Sequence, residues 1–223
     1  MFFIENMRKL IYHKAVAVLD ILKFVEELEG FFGKKKRNII KQLLEYRNKR
    51  SSQNMRLFIA ANFDENIIDR LVELQADLKE CGLEGNFTRP ENLHLTLAFI
   101  GEYGNPDDVL DVLEDVAFRP VQLHAEGLQH YREMYLLKMG NHPGLESCVR
   151  RMRRALSEQG IPFDRKKFSP HITLARKVSF RKGRFEPPEC LPEFPIPVER
   201  VSLMHSERGK RGMVYTELGC LNF

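Results

Sequence analysis

Four cysteines, Cys81, Cys148, Cys190 and Cys220, lie far apart in 223 residues, and no two form a Cys-x-x-Cys pair. That spacing argues against a zinc ribbon or a redox dithiol and predicts reduced thiols in a cytoplasmic protein. Long apolar runs are missing too. The longest near the N-terminus, Ala15 to Leu19, is far short of the roughly 20 residues that cross a bilayer, so no membrane span is expected. Lys14 and Asp20 flank it and no small-residue cleavage site follows, which argues against a secretory signal. The chain has neither a Gly-x-Ser-x-Gly elbow nor a glycine-rich phosphate loop of the Walker or Rossmann type. Cysteines and histidines do not cluster at metal-ligand spacing, and neither a metal nor another cofactor is expected.

What is present begins with an uneven charge. Residues 1–54 carry 12 Lys/Arg against 6 Asp/Glu, whereas the remainder carries 23 against 25. Two regions follow: a basic N-terminal extension, 1–54, and a nearly balanced domain, 55–223. From Met7 to Glu29 there is no Gly or Pro, and apolar residues recur at helical spacing. Gly30 and Gly33 bracket Phe31-Phe32; then come the basic run Lys34 to Arg37, a second helical stretch from Ile39 to Arg47, and a polar linker, Ser51 to Asn54. The basic run is read as a solvated turn in preference to a nucleic-acid or membrane contact. Met55, directly before a strong strand, is an alternative chain start that would leave the extension out.

The domain alternates strands and helices. Arg56 to Phe63 reads as a strand, and Asp64 as the N-cap of a helix whose inner face is Ile67, Ile68, Leu71, Leu74 and Leu78, stopped by Gly82. A short loop containing Arg89-Pro90 leads to His94-Leu95-Thr96-Leu97-Ala98. Asn105-Pro106 opens a helix with Val109, Val112, Leu113 and Val116 inward, and Val121, Leu123 and Ala125 alternate as a strand. The order then recurs. Met134 to Leu137 is a strand, Pro143 to Gln159 a helix with Leu145, Cys148, Val149, Met152, Ala155 and Leu156 on one side, and His171-Ile172-Thr173-Leu174-Ala175 a near copy of the first motif. The histidines are 77 residues apart, and the same offset places Leu57 on Met134 and Phe58 on Tyr135. The chain ends with proline-rich loops between Pro187 and Pro197 and strands near Val198–Ser206 and Met213–Leu218, joined by a turn at 209–212. An internal duplication of this kind predicts an α+β fold: two pseudo-symmetric lobes of antiparallel sheet, helices packed outside, and a central cleft carrying both motifs.

Each motif has the period-2 pattern of a half-buried strand, so His and Thr share one face and the aliphatic residues the other. Imidazole, with an ordinary pKa of about 6.5, gives or takes a proton near neutrality. Two of them facing one phosphorus suit an in-line displacement, one acting on the attacking water and the other on the departing oxygen. The Thr hydroxyls can hydrogen-bond the non-bridging oxygens, and this chemistry needs no metal.

These residues resemble the paired signatures of the 2H phosphoesterases, and in particular the RNA 2′,3′-cyclic phosphodiesterase family, known as LigT or ThpR and historically as 2′-5′ RNA ligase. Met55 to Ala60, Arg89 to Leu93 and Phe168-Ser169-Pro170 add to the likeness, which runs from about Met55 to the C-terminus. The resemblance implies metal-independent hydrolysis of RNA 2′,3′-cyclic phosphate ends to 2′-phosphomonoesters. It implies His94 as the proton donor to the 3′ oxygen, His171 as the proton acceptor from water, and Thr96 and Thr173 as substrate-binding residues. RNA ends or small cyclic nucleotides are then the partners, and a monomer is expected. Alternatives are a small nucleotide substrate such as ADP-ribose cyclic phosphate, 2′-5′ RNA ligation, or a nucleotide- or RNA-binding module without turnover.

Other residues are weaker candidates. Strict alternation places Arg176 on the face opposite His171, which favours a structural role over phosphate binding. Arg89, Lys166 and Lys167 are isolated basic loop residues and read as solvated. Phe58 and Tyr135, equivalent in the repeat, read as core residues before base-stacking ones. His13, His124, His130, His142 and His205 receive no function.

Overall fold

Alternating apolar residues bring ten strands together over one main core. The computed structural model describes residues 54–181, 185, 187–188, 194–210 and 212–223. The helix pair and basic run assigned to 1–53, and Cys190, lie outside the described residues. Asn54–Phe223 forms one compact unit. In chain order its elements are β1 (Met55–Asn62), α1 (Glu65–Glu80), β2 (Leu83–Phe87), a 3-10 turn (Pro90–Asn92), β3 (His94–Tyr103), α2 (Pro106–Asp115), β4 (Val121–Leu123), β5 (Ala125–Tyr131), β6 (Met134–Met139), α3 (Pro143–Glu158), β7 (His171–Phe180), β8 (Ile196–Val198), β9 (Arg200–Gly209) and β10 (Gly212–Asn222). The fold is α+β, as expected, with every strand pairing antiparallel.

The main sheet runs β10-β9-β1-β3-β7-β6-β5, with β2 also paired to β7. The two motif strands are therefore central neighbours, and each lobe extends outward from one of them. The C-terminal hairpin β9–β10 completes the first lobe against β1. The stretch expected as one strand from Val121 to Ala125 divides. β4 pairs with β8 in a separate small sheet, and β5 pairs with β6.

The helices form where the apolar spacing placed them. Asp64 caps α1 by accepting from the Ile67 amide at 2.9 Å; His142 caps α3 by accepting from the Leu145 amide at 3.4 Å. Leu71, Leu78, Leu113, Met152 and Leu156 are fully buried against the sheet's helix face, together with Leu95, Leu97, Ile172 and Leu174 from the motif strands. A second, smaller cluster of Phe58, Ala60 and Met204, with Phe99 and Tyr215 against it, forms apart from that core.

β2 takes the place of the expected loop. Its sequence, Leu-Glu-Gly-Asn-Phe, is exposed at its centre and shows no alternation. Gly85 has φ +150, and a Cβ there would meet the Arg176 carbonyl oxygen at 3.0 Å and Val178 Cα at 3.1 Å, so β2 approaches β7 closely only with glycine.

Between β2 and the first motif, Thr88 and the buried Gln75 brace β7 from the other lobe. Thr88 Oγ1 donates to the Thr173 carbonyl at 2.7 Å and its amide to the Leu174 carbonyl at 2.9 Å. Gln75 Nε2 donates to the carbonyls of Leu174, at 2.8 Å, and Thr88, at 2.9 Å. Replacing Gln75 by Leu removes the donor to the Thr88 carbonyl and one of the two donors to the Leu174 carbonyl, so Gln75→Leu is expected to lower unfolding free energy by about 1–3 kcal/mol. Urea denaturation followed by circular dichroism measures this; an unchanged midpoint would show that the bracing is dispensable.

Candidate active site

Both motif histidines are held by the backbone two residues before them. His94 Nδ1 lies 2.7 Å from the Asn92 carbonyl oxygen, and His171 Nδ1 lies 2.8 Å from that of Ser169. A carbonyl only accepts, so in each ring Nδ1 carries the hydrogen and donates, leaving Nε2 as the reactive atom. The 3-10 turn at Pro90–Asn92 presents the first carbonyl, and that turn is tied down in its turn. Asn92 Nδ2 donates to the Met213 carbonyl at 3.0 Å, and the Arg89 guanidinium donates to the same oxygen. Arg89 therefore fastens the turn to the β9–β10 hairpin and pairs with Glu91, so it is not an isolated solvated cation.

Only Leu95 and Ile172 pair between β3 and β7. These side chains point into the core, and continuing the antiparallel register sets His94 beside Thr173 and Thr96 beside His171. Each histidine thus stands diagonal to its counterpart. Thr96 Oγ1 is 3.1 Å from His94 Nε2, the distance of a hydroxyl donating to the ring lone pair. The four residues singled out from the sequence are brought to one face at the junction of the lobes.

A bulge after each motif corrects the placement of Arg176. In β7, Thr173 pairs with Leu136 but Ala175 pairs with Tyr135, so one extra residue is accommodated and the alternation slips by one. Leu174 and Ala175 are both buried, and Arg176 returns to the face of Thr173 and His171. β3 does the same: Thr96 pairs with Ala60 and Ala98 with Ile59, which returns Phe99 to the face of His94. The strict alternation that placed Arg176 opposite His171 fails because no single-sequence pattern marks the extra residue. Arg176 and Phe99 are thus counterparts in the two lobes.

The bulges also correct the equivalence of Phe58 and Tyr135. Phe58 pairs with Phe99 and Met134 with Arg176, so Phe58 corresponds to Met134, and Tyr135 to Ile59. Tyr135 belongs to the main core and touches Phe180 and Phe185. Phe58 lies on the histidine face, its ring centroid 5.0 Å from that of His94.

Sequence reasoning missed Tyr215, whose ring meets His94 edge-on at 5.3 Å and Phe58 at 5.0 Å. β10 delivers it from 121 residues beyond His94, and only the sheet order reveals the contact. Asn62, paired with His94, was missed too. Its Nδ2 donates to Ser202 Oγ at 3.0 Å; Ser202 Oγ donates to Glu217 Oε2 at 2.8 Å, and Arg200 forms an ion pair with Glu217. On the other flank Lys138, paired with His171, forms an ion pair with Glu126 at 3.2 Å. Of the other histidines, His130 meets Phe180 edge-on and His205 lies 3.5 Å from Glu207. His13 lies outside the described residues. Among the described residues no group of three or more His, Cys, Asp or Glu side chains is placed to hold a metal ion, and no helix is long and apolar enough to cross a membrane.

The surroundings of His94 favour its neutral form. Burial against Phe58 and Tyr215 lowers His94 from the ordinary imidazole value of 6.5 to about 4; the Asn92 carbonyl opposes this, and the positive charges of Arg176 and His171 add to it. His94 is therefore neutral at pH 7, its Nε2 lone pair accepting from the Thr96 hydroxyl. Because its folded pKa lies below the unfolded one, the unfolded chain binds more protons between pH 6.5 and pH 4. This group therefore costs stability increasingly as pH falls through that window. Nitrogen-15 NMR of the free protein is expected to show His94 Nε2 unprotonated down to about pH 4. A midpoint near 6.5 would mean that the aromatic enclosure does not exclude water.

The chain is similar to known proteins in sequence and in fold. A family model described as LigT like Phosphoesterase matches residues 63–135 and 140–215, one stretch for each copy of the repeat. The RNA 2′,3′-cyclic phosphodiesterase of Methanothermobacter thermautotrophicus is 26% identical over 179 residues, covering 74% of this chain and 96% of that protein. The protein of the same name from Archaeoglobus fulgidus is 35% identical over 130 residues, covering 55% of this chain and 72% of the relative. Among solved structures, E. coli LigT in its apo form superposes with a TM-score of 0.63 at 22% identity, covering 76% of this chain and 98% of that one. A Thermus thermophilus protein gives 0.58 at 29% identity, covering 75% and 97%. With both halves of the repeat matched by the family model, the chain belongs to the LigT-like phosphoesterases of the 2H superfamily.

Proposed function

We propose that this phosphoesterase hydrolyses RNA 2′,3′-cyclic phosphate ends to 2′-phosphomonoesters, without a metal. The observation that carries the reading is the pair of His-x-Thr strands side by side, each with its Nδ1 hydrogen bound by a carbonyl and its Nε2 left to react. The names of the similar proteins point to the same substrate. Water attacks phosphorus opposite the 3′ oxygen, the P–O3′ bond breaks, and the phosphate stays on O2′. His171 takes the proton of the water and His94 gives one to the departing O3′. Thr96, Thr173 and Arg176 bind the non-bridging oxygens, where charge builds up in the transition state.

The acid role asks for a protonated His94, whereas the free protein holds it neutral. The bound phosphodiester supplies a negative charge that opposes the effect of Arg176, so His94 takes up its proton with the substrate. The low value also favours a second reading in which the roles are exchanged, with His94 as base. A substrate carrying sulfur in place of O3′ separates the two, since a thiolate departs without a proton. If His94 is the acid, His94→Ala keeps activity on the sulfur substrate while His171→Ala does not; the opposite result assigns the acid to His171.

On a cyclic-phosphate-ended oligonucleotide in EDTA, the wild type is expected to yield a 2′-phosphate end. His94→Ala and His171→Ala are each expected to lose about 10²–10⁴-fold in turnover. Absence of product from the wild type, or dependence on an added metal, would refute the proposal.

A further inference from the structure

The duplication supplies an internal reference for the protein's surface, because each lobe shows what the other looks like with different residues. At corresponding positions of α1 and α3 the same brace recurs. In the first lobe, Gln75 on α1 donates to the Thr88 carbonyl; in the second, Arg153 on α3 donates to the Lys166 carbonyl at 2.7 Å. The helices align likewise, with Ile67, Leu71, Leu74 and Leu78 buried in α1 and Leu145, Val149, Met152 and Leu156 in α3. An offset of 78 relates both the helices and the braced carbonyls.

On this common frame the two lobes carry different charge. Around the second brace stand Arg150, Arg153 and Arg154 on α3 and Arg165, Lys166 and Lys167 on the segment leading to β7. All are exposed except Arg153, which is half-buried. Their counterparts in the first lobe are Val72, Gln75, Ala76, Phe87, Thr88 and Arg89, a single cation against six. Arg153 and Arg165 both lie over the Phe163 ring, at 5.9 and 5.7 Å, which fastens the segment to the helix. Lys166 and Lys167 are therefore not isolated loop residues but part of one basic surface. Asp164 and Glu158 pair with Lys166 and Arg154, and Glu146 lies one turn from Arg150. The cations still outnumber the acids two to one.

Residues 165–167 join this surface to the second motif strand, while α3 itself packs on the face of the sheet opposite the histidines. Lys167 precedes His171 by four residues, which bounds their Cα separation at roughly 14 Å. We propose that α3 and residues 165–167 form a landing surface for the sugar–phosphate backbone of the RNA whose cyclic end occupies the histidine site. The preferred substrate is then a polynucleotide. This rests on the function proposed above. The patch is mixed neither with acids in equal number nor with exposed large apolar side chains, as a protein-docking face would be.

The test compares 2′,3′-cyclic AMP, which has no upstream phosphates, with a cyclic-phosphate-ended 20-mer, using wild type and the variant Arg150→Gln/Arg154→Gln/Lys167→Gln. The variant is expected to keep its kcat/KM on the mononucleotide and to lose at least tenfold on the 20-mer. The slope of log(kcat/KM) against log[salt] on the 20-mer should become shallower by about two, roughly 0.7 for each lost contact to a single strand. Equal kcat/KM and equal salt slopes on the 20-mer would overturn the proposal. If the wild type turns over neither substrate, the proposed function fails separately. Fluorescence anisotropy with a 3′-phosphate-ended 20-mer then decides the landing surface alone: weaker binding by the variant supports it, and equal binding overturns it.

Discussion

The pairing of Leu95 with Ile172 is the constraint on which the site depends. It is the one register point between the motif strands, made by two fully buried side chains on the helix face of the sheet. Because strand side chains alternate, burying these two aliphatic residues forces His94, Thr96, His171 and Thr173 to the opposite face. A slip of one residue would turn all four into the core, where an unpaired imidazole and hydroxyl are costly to bury. The hydrophobic core thus enforces the orientation of the polar residues. Beyond this point the strands separate. β2 occupies the widening gap along β7, and the Asp164 amide donates to the Phe99 carbonyl along β3 at 2.8 Å.

The repeat keeps one offset only at its centre. The histidines differ by 77 positions, the flanking strands β1 and β6 by 76, and the helices by 78. Each drift is absorbed outside the motifs, so the hydrogen-bonded backbone that orients each imidazole is the same in both halves. Two lobes can therefore accumulate different side chains around identical strands. Phe99 stands where the other lobe has Arg176, and Phe58 where it has Met134.

Much of this was legible in the sequence because it follows from local periodicity. The helix faces, the Asp64 cap, the paired motif strands and the α+β class all depend on residues within a turn or two of one another. What was not legible depends on long-range geometry. Tyr215 and Asn62 reach His94 only through the order β10-β9-β1-β3. The bulges at Leu97 and Leu174 leave no mark in composition, and they decide which face Arg176 occupies. β2 was invisible because its partner strand, and not its own pattern, makes it a strand. The likeness to a known family singled out four residues that the strands bring to one face, and the pairing corrected which residues of the first strands correspond.

The enclosure of His94 shows why near-symmetry does not mean equal chemistry. Both histidines make the same carbonyl hydrogen bond, so that bond cannot distinguish them. What does is the packing of Phe58 and Tyr215 against one ring, which strips it of water and favours its neutral form. Arg176 and His171 add to the effect, but burial of the ring is its largest cause. The difference in surroundings between two matching motifs therefore lies mainly in the aromatic residues that flank one of them, Phe58 from the neighbouring strand and Tyr215 from a strand at the edge of the sheet.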